Sequence, residues 1–221
     1  MKGPLGFARS VLSSIVEGRV ERWYRWLQRS VTLILVPDLG KDSGNVRHIS
    51  PIVRRVTKSR EEVLAELGIE RGGFILFSMS GSGAGDFVLR AALDAFLDSG
   101  LDCHFVVSGN SGKRVEGESV VDIGLVRDNQ NFVAAADLVI STAGKSTIDE
   151  AASAGTPIIA IPILHHAEQE RNAAELGYRF EDVSRMKELM LEKFGRRVEP
   201  RRYGGAAAAA EAIRLLVTGS P

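Results

Sequence analysis

Short apolar runs alternate with glycine-containing turns and helical patterns through the middle of this chain. The apolar runs cover residues 31–37, 73–79, 103–109, 119–125, 137–142 and 157–163. Several of them are apolar at nearly every position, which is typical of strands buried on both faces. Because strand–helix–strand repeats of this length form parallel sheets with helices on both sides, the sequence predicts an α/β fold with a doubly wound parallel sheet.

The segments between these runs begin and end as helices do. Residues 59–68 open on Ser59 and Glu62, a capping box, and stop at Gly68. Residues 84–100 carry an apolar stripe, for which the candidates are Phe87, Leu89, Ala91, Leu93, Phe96 and Leu97. Further helices are predicted over 130–137, 145–155, 167–177 and 205–217.

Residues 1–30 do not follow the alternation and form one long helical pattern. It carries Trp23, Tyr24 and Trp26 among Arg19, Arg22, Arg25 and Arg29. One interpretation is a helix on a membrane surface, with basic and aromatic anchors. The other, which we favour, is a helix that packs on a neighbouring domain or subunit. We therefore expect an N-terminal helical extension, 1–30, before an α/β domain, 31–221.

Charge and cysteine content exclude several classes of protein. The 28 Lys and Arg residues balance the 28 Asp and Glu residues, whereas nucleic-acid-binding proteins usually carry a basic excess. The single Cys103 excludes an internal disulfide and a cysteine-rich zinc site. No apolar run approaches the about 20 residues of a membrane-spanning helix, and Arg9 interrupts the first apolar stretch. We expect a cytoplasmic protein with no nucleic-acid partner and at most peripheral membrane contact.

A first glycine-rich loop contains Gly81, Ser82 and Gly83, between the run 73–79 and a helix. It does not complete a dinucleotide fingerprint, because Asp86 stands where the last glycine is needed. Backbone N–H groups at a helix start still attract an anion. A plain strand-to-helix turn remains the alternative.

A second loop contains Gly144 and Lys145, together with the hydroxyls of Thr142, Ser146 and Thr147. It is not a complete P-loop, because a valine in the preceding strand replaces the first glycine of that motif. The helix start after it carries about half a positive charge. With the charge of the lysine added, this site suits a diphosphate.

Further polar residues follow the run 157–163. Adjacent histidines, the second of them His166, point in different directions, and no further His or Cys completes a metal site. His166, Glu168 and Gln169 lie instead at the carboxyl end of a strand, where doubly wound sheets bind ligands. Glu150, inside the helix 145–155, has the chemistry to accept hydrogen bonds from ribose hydroxyls, or it is a solvated helix residue.

Together these segments resemble a known family. Residues 137–173 read DLVISTAGKSTIDEAASAGTPIIAIPILHHAEQERNA. The order of a strand, a glycine turn, Thr, Glu, Ala-Gly-x-Pro, an Ile-Pro strand end and Gln-x-x-Asn-Ala resembles the donor-binding, C-terminal half of GT-B glycosyltransferases. The likeness is to the peptidoglycan N-acetylglucosaminyltransferase family and to the donor subunit of the split dolichol-linked N-acetylglucosaminyltransferase. It extends over about residues 31–185.

The resemblance implies roles for individual residues. The backbone of Val126 would pair with uracil, the turn at Gly144 and Thr147 would hold the diphosphate, and Glu150 would bind the ribose hydroxyls. Gln169 would read the sugar hydroxyls, and Gly81, Ser82 and Gly83 would form the second loop near the phosphates. Glu168 stands where the family often has the first of two glutamines.

The resemblance also implies a reaction, the inverting transfer of a sugar from a UDP-sugar, UDP-N-acetylglucosamine in particular, to an acceptor hydroxyl. Neither a cofactor nor a metal is expected. The family's amino-terminal half binds the acceptor and supplies the general base, so no catalytic residue is predicted here. We expect a separate acceptor-domain subunit, or a homo-oligomer, that docks through residues 7–29. The alternatives are a nucleotide-sugar hydrolase or 2-epimerase, with His165 and His166 as acid or base, and a non-catalytic nucleotide-sugar-binding subunit.

Overall fold

The computed structural model describes residues 22–23, 26–27, 30–38, 40–79, 85–109 and 115–219. These residues divide into two compact units, one of residues 53–203 and one of the residues up to Ile52 and from Gly204 onward. Arg22, Trp23, Trp26 and Leu27 are helical. The rest of the predicted helix over 7–29 lies outside the described residues, and the division at residue 30 stays a prediction.

The described elements are as follows in chain order. The strands are β1 (Ile34–Pro37), β2 (Val46–Ile49), β3 (Phe74–Ser78), β4 (His104–Ser108), β5 (Val120–Gly124), β6 (Leu138–Ser141) and β7 (Ile158–Ala160). The helices are α1 (Arg60–Leu67), α2 (Asp86–Ser99), α3 (Asn129–Ala135), α4 (Lys145–Ala154), α5 (Ala167–Glu175), α6 (Met186–Lys193) and α7 (Gly205–Thr218). A 3-10 helix over Phe180–Arg185 precedes α6.

The larger unit is built on a five-stranded parallel sheet in the order β5-β4-β3-β6-β7. Alternate residues of β3 point into two separate cores. Ile75 and Phe77 pack with residues of α2 and α6, whereas Phe74 and Leu76 pack with residues of α1 and α3. Helices therefore cover both faces of the sheet, and the predicted doubly wound α/β fold is confirmed.

The apolar stripe predicted for α2 is confirmed in part, because Leu89 and Phe96 are buried and Phe87 and Leu93 pack against the same core. The buried residues of this helix are Val88, Leu89, Ala92, Ala95 and Phe96, whereas Leu97 is 67% exposed. Positions three and four residues apart share one face of a helix. The buried face runs from Val88 to Phe96, and Leu97 lies outside it. The strand predicted over 157–163 is also shorter, ending at Ala160, and neither β2 nor α6 was predicted.

The smaller unit pairs β1 with β2 in parallel. Helix α7, predicted over 205–217, begins where the chain comes very close to the end of β2. The N–H of Gly204 donates to Ser50 Oγ at 2.9 Å, and a Cβ on Gly205 would lie 1.9 Å from the Ser50 carbonyl oxygen. Only glycine permits this approach. Within the described parts of the chain, no helix combines the length and apolar character needed to cross a membrane.

Candidate functional site

A cavity of about 380 Å³ opens at the edge of the larger sheet where the strands end. Its walls come from the segments that follow β3, β4, β5 and β6, and from the first turns of α4 and α5. The lining residues are Ser78, Met79, Ser108, Gly109, Leu125, Val126, Asn129, Thr142, Gly144, Lys145, Ser146, Thr147, Glu168 and Gln169. Doubly wound sheets bind small ligands at this edge, and the volume is in the usual range for such sites, about 300–1,000 Å³.

Most of the predicted site residues meet at this cavity. Those that line it are Val126, Thr142, Gly144, Lys145, Ser146, Thr147, Glu168 and Gln169. Glu150 and His166 are not among its lining residues. The loop of Gly81, Ser82 and Gly83 lies outside the described residues, so its expected place near the phosphates stays a prediction.

The first turn of α4 presents backbone, not a side-chain cap, to the cavity. Gly144 is the N-cap residue, and no side chain makes a capping hydrogen bond there. Its φ of −68° is one that any residue adopts, and a Cβ at this position would meet nothing within 4 Å. Because neither conformation nor packing within the described chain requires glycine here, the space before the helix start is open to a ligand. Such a helix start favours an anion.

The turn before α4 is held in an unusual conformation. Ala143 has a φ of +59°, in the left-handed region that non-glycine residues rarely adopt. Its N–H donates to Ser141 Oγ at 3.2 Å, and its carbonyl accepts a hydrogen bond from Asn172 Nδ2 at 3.0 Å. These two bonds fix the direction in which the chain enters α4, and so the direction of the uncapped helix start.

Lys145 lines the cavity and is paired within its own helix. Its Nζ lies 2.8 Å from Asp149 Oδ1, one turn further along α4. The aspartate is largely buried and the lysine partly exposed. The pair holds the ammonium group beside the helix start, and the predicted contact of Lys145 with a phosphate stays a prediction.

Gln169 reaches the cavity from α5 with its oxygen already engaged. The N–H of Ile163 donates to Gln169 Oε1 at 3.1 Å. A ligand contact from Gln169 would therefore come from its amide nitrogen or from the remaining lone pair of Oε1. His166 is the N-cap residue of α5, and its Nδ1 accepts a hydrogen bond from the Gln169 N–H at 3.4 Å, so its ring caps the helix.

Glu150 is buried in α4 and bound to a residue that the sequence did not point to. Its Oε1 accepts a hydrogen bond from Arg54 Nε at 2.8 Å, and its side chain is only 5% exposed. Its Oε2 is buried without a hydrogen-bond partner among the described residues. A buried carboxylate oxygen without a partner is costly. Because Glu150 does not line the cavity, its expected contact with ribose hydroxyls stays a prediction.

Arg54 also connects this carboxylate to the segment beside Val126. Its Nη1 donates to the carbonyl oxygen of Arg127 at 2.8 Å. The segment that follows Arg54 is fixed again at Thr57, whose N–H donates to Asn131 Oδ1 at 2.8 Å. The segment from Arg54 to Thr57 therefore ties α3 to α4 behind the cavity.

Two serines and an asparagine form a hydrogen-bonded bridge at the cavity. Ser108 Oγ donates to Asn129 Oδ1 at 2.7 Å, and Asn129 Nδ2 donates to Ser78 Oγ at 3.0 Å. Ser78 and Ser108 are partners in the register of β3 and β4. Sequence reasoning missed all three. Each serine nevertheless lies one residue before the end of an apolar run, close to the strand ends at which ligands are expected.

The ends of β3 and β4 approach each other through Gly109. This residue has a φ of +86°, and a Cβ there would lie 1.8 Å from the Met79 carbonyl oxygen. Glycine is therefore required both by conformation and by space. Both residues line the cavity, so this contact sets the shape of its floor.

Cys103, the single cysteine, lies just before β4 and away from the cavity lining. Burial, together with the negative charges of Asp137 and Asp102, raises the pKa of its thiol to about 12. A protonated, buried thiol is a poor nucleophile. Within the described residues, no group of three or more His, Cys, Asp and Glu side chains is arranged to hold a metal ion.

The chain is similar to known glycosyltransferases. Residues 110–187 match the Glycosyltransferase family 28 C-terminal domain. A protein of Methanosarcina acetivorans named "Uncharacterized glycosyltransferase" is 28% identical, and the match covers 88% of this chain and 56% of that protein. One of Methanosarcina mazei with the same name is 32% identical over 67% of this chain and 41% of its own length. The chain thus spans about half the length of these relatives.

Among solved structures, the spinosyn rhamnosyltransferase SpnG in complex with thymidine diphosphate superimposes with a TM-score of 0.52 at 18% identity. The match covers 86% of this chain and 54% of that one. The described fold is thus that of the Rossmann-like half of a GT-B glycosyltransferase. These findings support the expected donor half of such an enzyme, and the narrower N-acetylglucosaminyltransferase family is not confirmed by them.

Proposed function

We propose that this chain is the donor-binding half of a glycosyltransferase and that it holds a nucleoside diphosphate sugar, UDP-N-acetylglucosamine in particular. The observation that carries the proposal is the uncapped start of α4, which opens into the cavity beside Gly144. The missing side chain of this glycine leaves space that none of the described residues fills. A diphosphate in that space would accept hydrogen bonds from backbone N–H groups and lie near the charge of Lys145.

The order of the strands gives the ligand a direction along the sheet edge. Val126 follows β5 at one side of the sheet, the turn at Gly144 follows β6, and Gln169 lies after β7 at the other side. A nucleoside at Val126, a diphosphate at Gly144 and a sugar at Gln169 would therefore lie in the order in which they are bonded. This agreement supports the roles that the resemblance implies for Val126, Gly144 and Gln169.

The proposed reaction transfers the sugar with inversion. An acceptor hydroxyl attacks the anomeric carbon, the bond from that carbon to the diphosphate oxygen breaks, and the electron pair of that bond goes to the diphosphate. A general base takes the proton of the hydroxyl. The α4 N-terminus and Lys145 would stabilise the charge on the departing diphosphate, so the proposed step draws on no metal or cofactor.

The acceptor and the general base would come from outside the described residues. The relatives are about twice as long as the matched region, and we infer that an acceptor-binding part works with this one. We propose that it docks through residues 7–29, as a separate subunit or a further copy of the chain in the cytoplasm. Trp23 and Trp26 support this proposal, because their side chains are 58% and 63% exposed.

A nucleotide-sugar hydrolase or epimerase is less well supported. That function would need an acid or base at the sugar, for which the sequence offered His165 and His166. No histidine is among the described residues that line the cavity. The ring of His166 accepts a hydrogen bond from the N–H of Gln169 instead.

The test is calorimetric titration of the chain with UDP, UDP-N-acetylglucosamine, GDP and ADP. We expect saturable binding that favours the uridine nucleotides, with a further gain from the sugar. Replacing Gln169 by alanine should weaken binding of the sugar nucleotide and leave UDP unchanged. Absence of binding to all four nucleotides would refute a donor site in this cavity, and equal losses for UDP and UDP-sugar would refute the assigned role of Gln169.

A further inference from the structure

The hydrogen bonds that link Ser108, Asn129 and Ser78 all run in one direction along the cavity wall. An amide side chain has one acceptor end and one donor end, so it fixes the roles of both hydroxyls that it contacts. Ser108 uses its only proton in the bond to Asn129 Oδ1, so its oxygen can only accept from a ligand. Ser78 already accepts from Asn129 Nδ2. Its own proton has no acceptor among the residues that the structure describes, so it is left to be donated.

The donor role of Ser78 and the acceptor role of Ser108 affect ligand affinity because both side chains are buried. Ser78 and Ser108 are 7% and 3% exposed, yet both line the cavity. Bulk water therefore has little access to them, and a ligand that offers the wrong group would leave a buried polar atom without a partner. Such mismatches cost more than the net gain of a correct hydrogen bond.

Asn129 is itself held in place from outside the cavity. The preceding residue, Asp128, lies 2.8 Å from Lys58 Nζ, and Asn131 Nδ2 donates to Asp128 Oδ2 at 3.1 Å. These contacts hold the start of α3 in place. They therefore limit the movement of the helix that would shift the Asn129 amide.

The strand order places each role beside a suitable part of the proposed ligand. Strand β3 lies between β4 and β6, so the donor Ser78 is on the side of the α4 turn. Phosphate oxygens there offer only acceptors. The acceptor Ser108 lies on the side of β5 and Val126, where a nucleoside offers O–H and N–H donors.

We propose that Asn129 is a specificity-determining residue that holds Ser78 as a donor to the diphosphate and Ser108 as an acceptor for the nucleoside. The inference rests on the proposed function, because it takes a nucleoside diphosphate as the ligand of this cavity.

The first test compares UDP with uridine as probes in calorimetric titrations of the full chain. Ser78→Ala removes a donor to a charged group, so we expect UDP affinity to fall about ten-fold or more, with uridine affinity unchanged. Ser108→Ala removes an acceptor for the nucleoside, so both ligands should weaken by the same factor, about two-fold to ten-fold. Ser99→Ala is the matched control, because that hydroxyl donates to the Phe96 carbonyl outside the cavity lining.

The second test reverses the direction of the bridge. Asn129→Asp replaces the donor end of the amide with an acceptor, so the Ser78 proton turns toward the new carboxylate and away from the diphosphate. UDP affinity should fall further than in Ser78→Ala. In the Ser78→Ala background the same substitution should cost less, because the misdirected hydroxyl is gone and only the added charge remains. Thermal unfolding confirms that each variant is folded.

The outcomes separate the two proposals. If the wild-type chain binds UDP and Ser78→Ala binds it equally well, the role of the bridge is refuted and the donor site stands. Equal losses of UDP and uridine in Ser78→Ala, or additive effects in the double variant, also refute the bridge. If the wild-type chain binds no nucleoside diphosphate, both proposals fail.

Discussion

Gly144→Ala tests the anion site at the start of α4 directly. The fold should tolerate this change, because the φ of −68° suits alanine and its methyl group would meet no described residue within 4 Å. Alanine is a poorer N-cap than glycine, by roughly 0.5–1 kcal/mol. Alanine also lowers the conformational entropy of the unfolded chain, which stabilises the folded state by a similar amount, about 0.4–1 kcal/mol. These terms oppose each other, so we expect the free energy of unfolding to change by less than about 1 kcal/mol.

Ligand binding should respond much more strongly. The methyl group would occupy the space before the uncapped helix start and push the diphosphate away from the backbone N–H groups. Losing one hydrogen bond to a charged group costs about 1.5–3 kcal/mol. That corresponds to a roughly ten-fold to hundred-fold weaker Kd for UDP, and Gly144→Val should weaken it further.

Gly204 provides a matched control for this experiment. It is the N-cap residue of α7, makes no side-chain cap and has a φ of −108°. Among the described residues, nothing lies within 4 Å of a Cβ added to it. Gly204→Ala should therefore change stability as Gly144→Ala does and leave UDP binding unchanged. The assay is calorimetry with UDP, paired with urea denaturation. A Gly144→Ala variant that binds UDP within about two-fold of wild type would refute the reasoning.

Three further outcomes are expected. Arg54→Ala leaves Glu150 without its partner, so it should lower the free energy of unfolding by about 1–2 kcal/mol and weaken UDP binding; equal urea midpoints for Arg54→Ala and the neighbouring Arg55→Ala would contradict this. Gly109→Ala meets both a strained conformation and a backbone oxygen, so it should cost at least about 2 kcal/mol in denaturation experiments; wild-type stability would contradict the close approach. With a thiol pKa of about 12, Cys103 should react with iodoacetamide at pH 8 far more slowly in the native chain than in urea, and equal rates would contradict its burial.

The sequence predicted the sheet and most of the cavity because both follow from local patterns. Apolar runs located the strands of the larger sheet, and the polar residues after them, such as Thr142 and Gln169, line the site. The half-buried β2 carries arginine and histidine between its apolar ends, so its short pattern gave no apolar signal. The turn at Gly144 was recognisable because its glycine and hydroxyls are adjacent in the chain.

The residues that the sequence missed depend on contacts between distant parts of the chain. Arg54 and Glu150 are 96 positions apart, and nothing in the spacing of charges along the chain pairs them. Asn129 meets Ser78 and Ser108 only because β3 and β4 are in register and α3 starts at their ends. Such arrangements are set by the tertiary structure, so they become visible only once the strands are placed.

The ion pair within α4 bears on the speed at which a charged ligand is captured. Lys145 faces the cavity with Asp149 2.8 Å from its ammonium group, and Glu168 adds a negative charge to the same lining. Among the described lining residues the side-chain charges therefore give no positive excess to draw an anion from a distance. Long-range electrostatic attraction speeds association and weakens as ionic strength rises. Capture of a nucleoside diphosphate should consequently proceed at an association rate that changes little between low and physiological salt, with the attraction confined to the last few ångströms before the helix start.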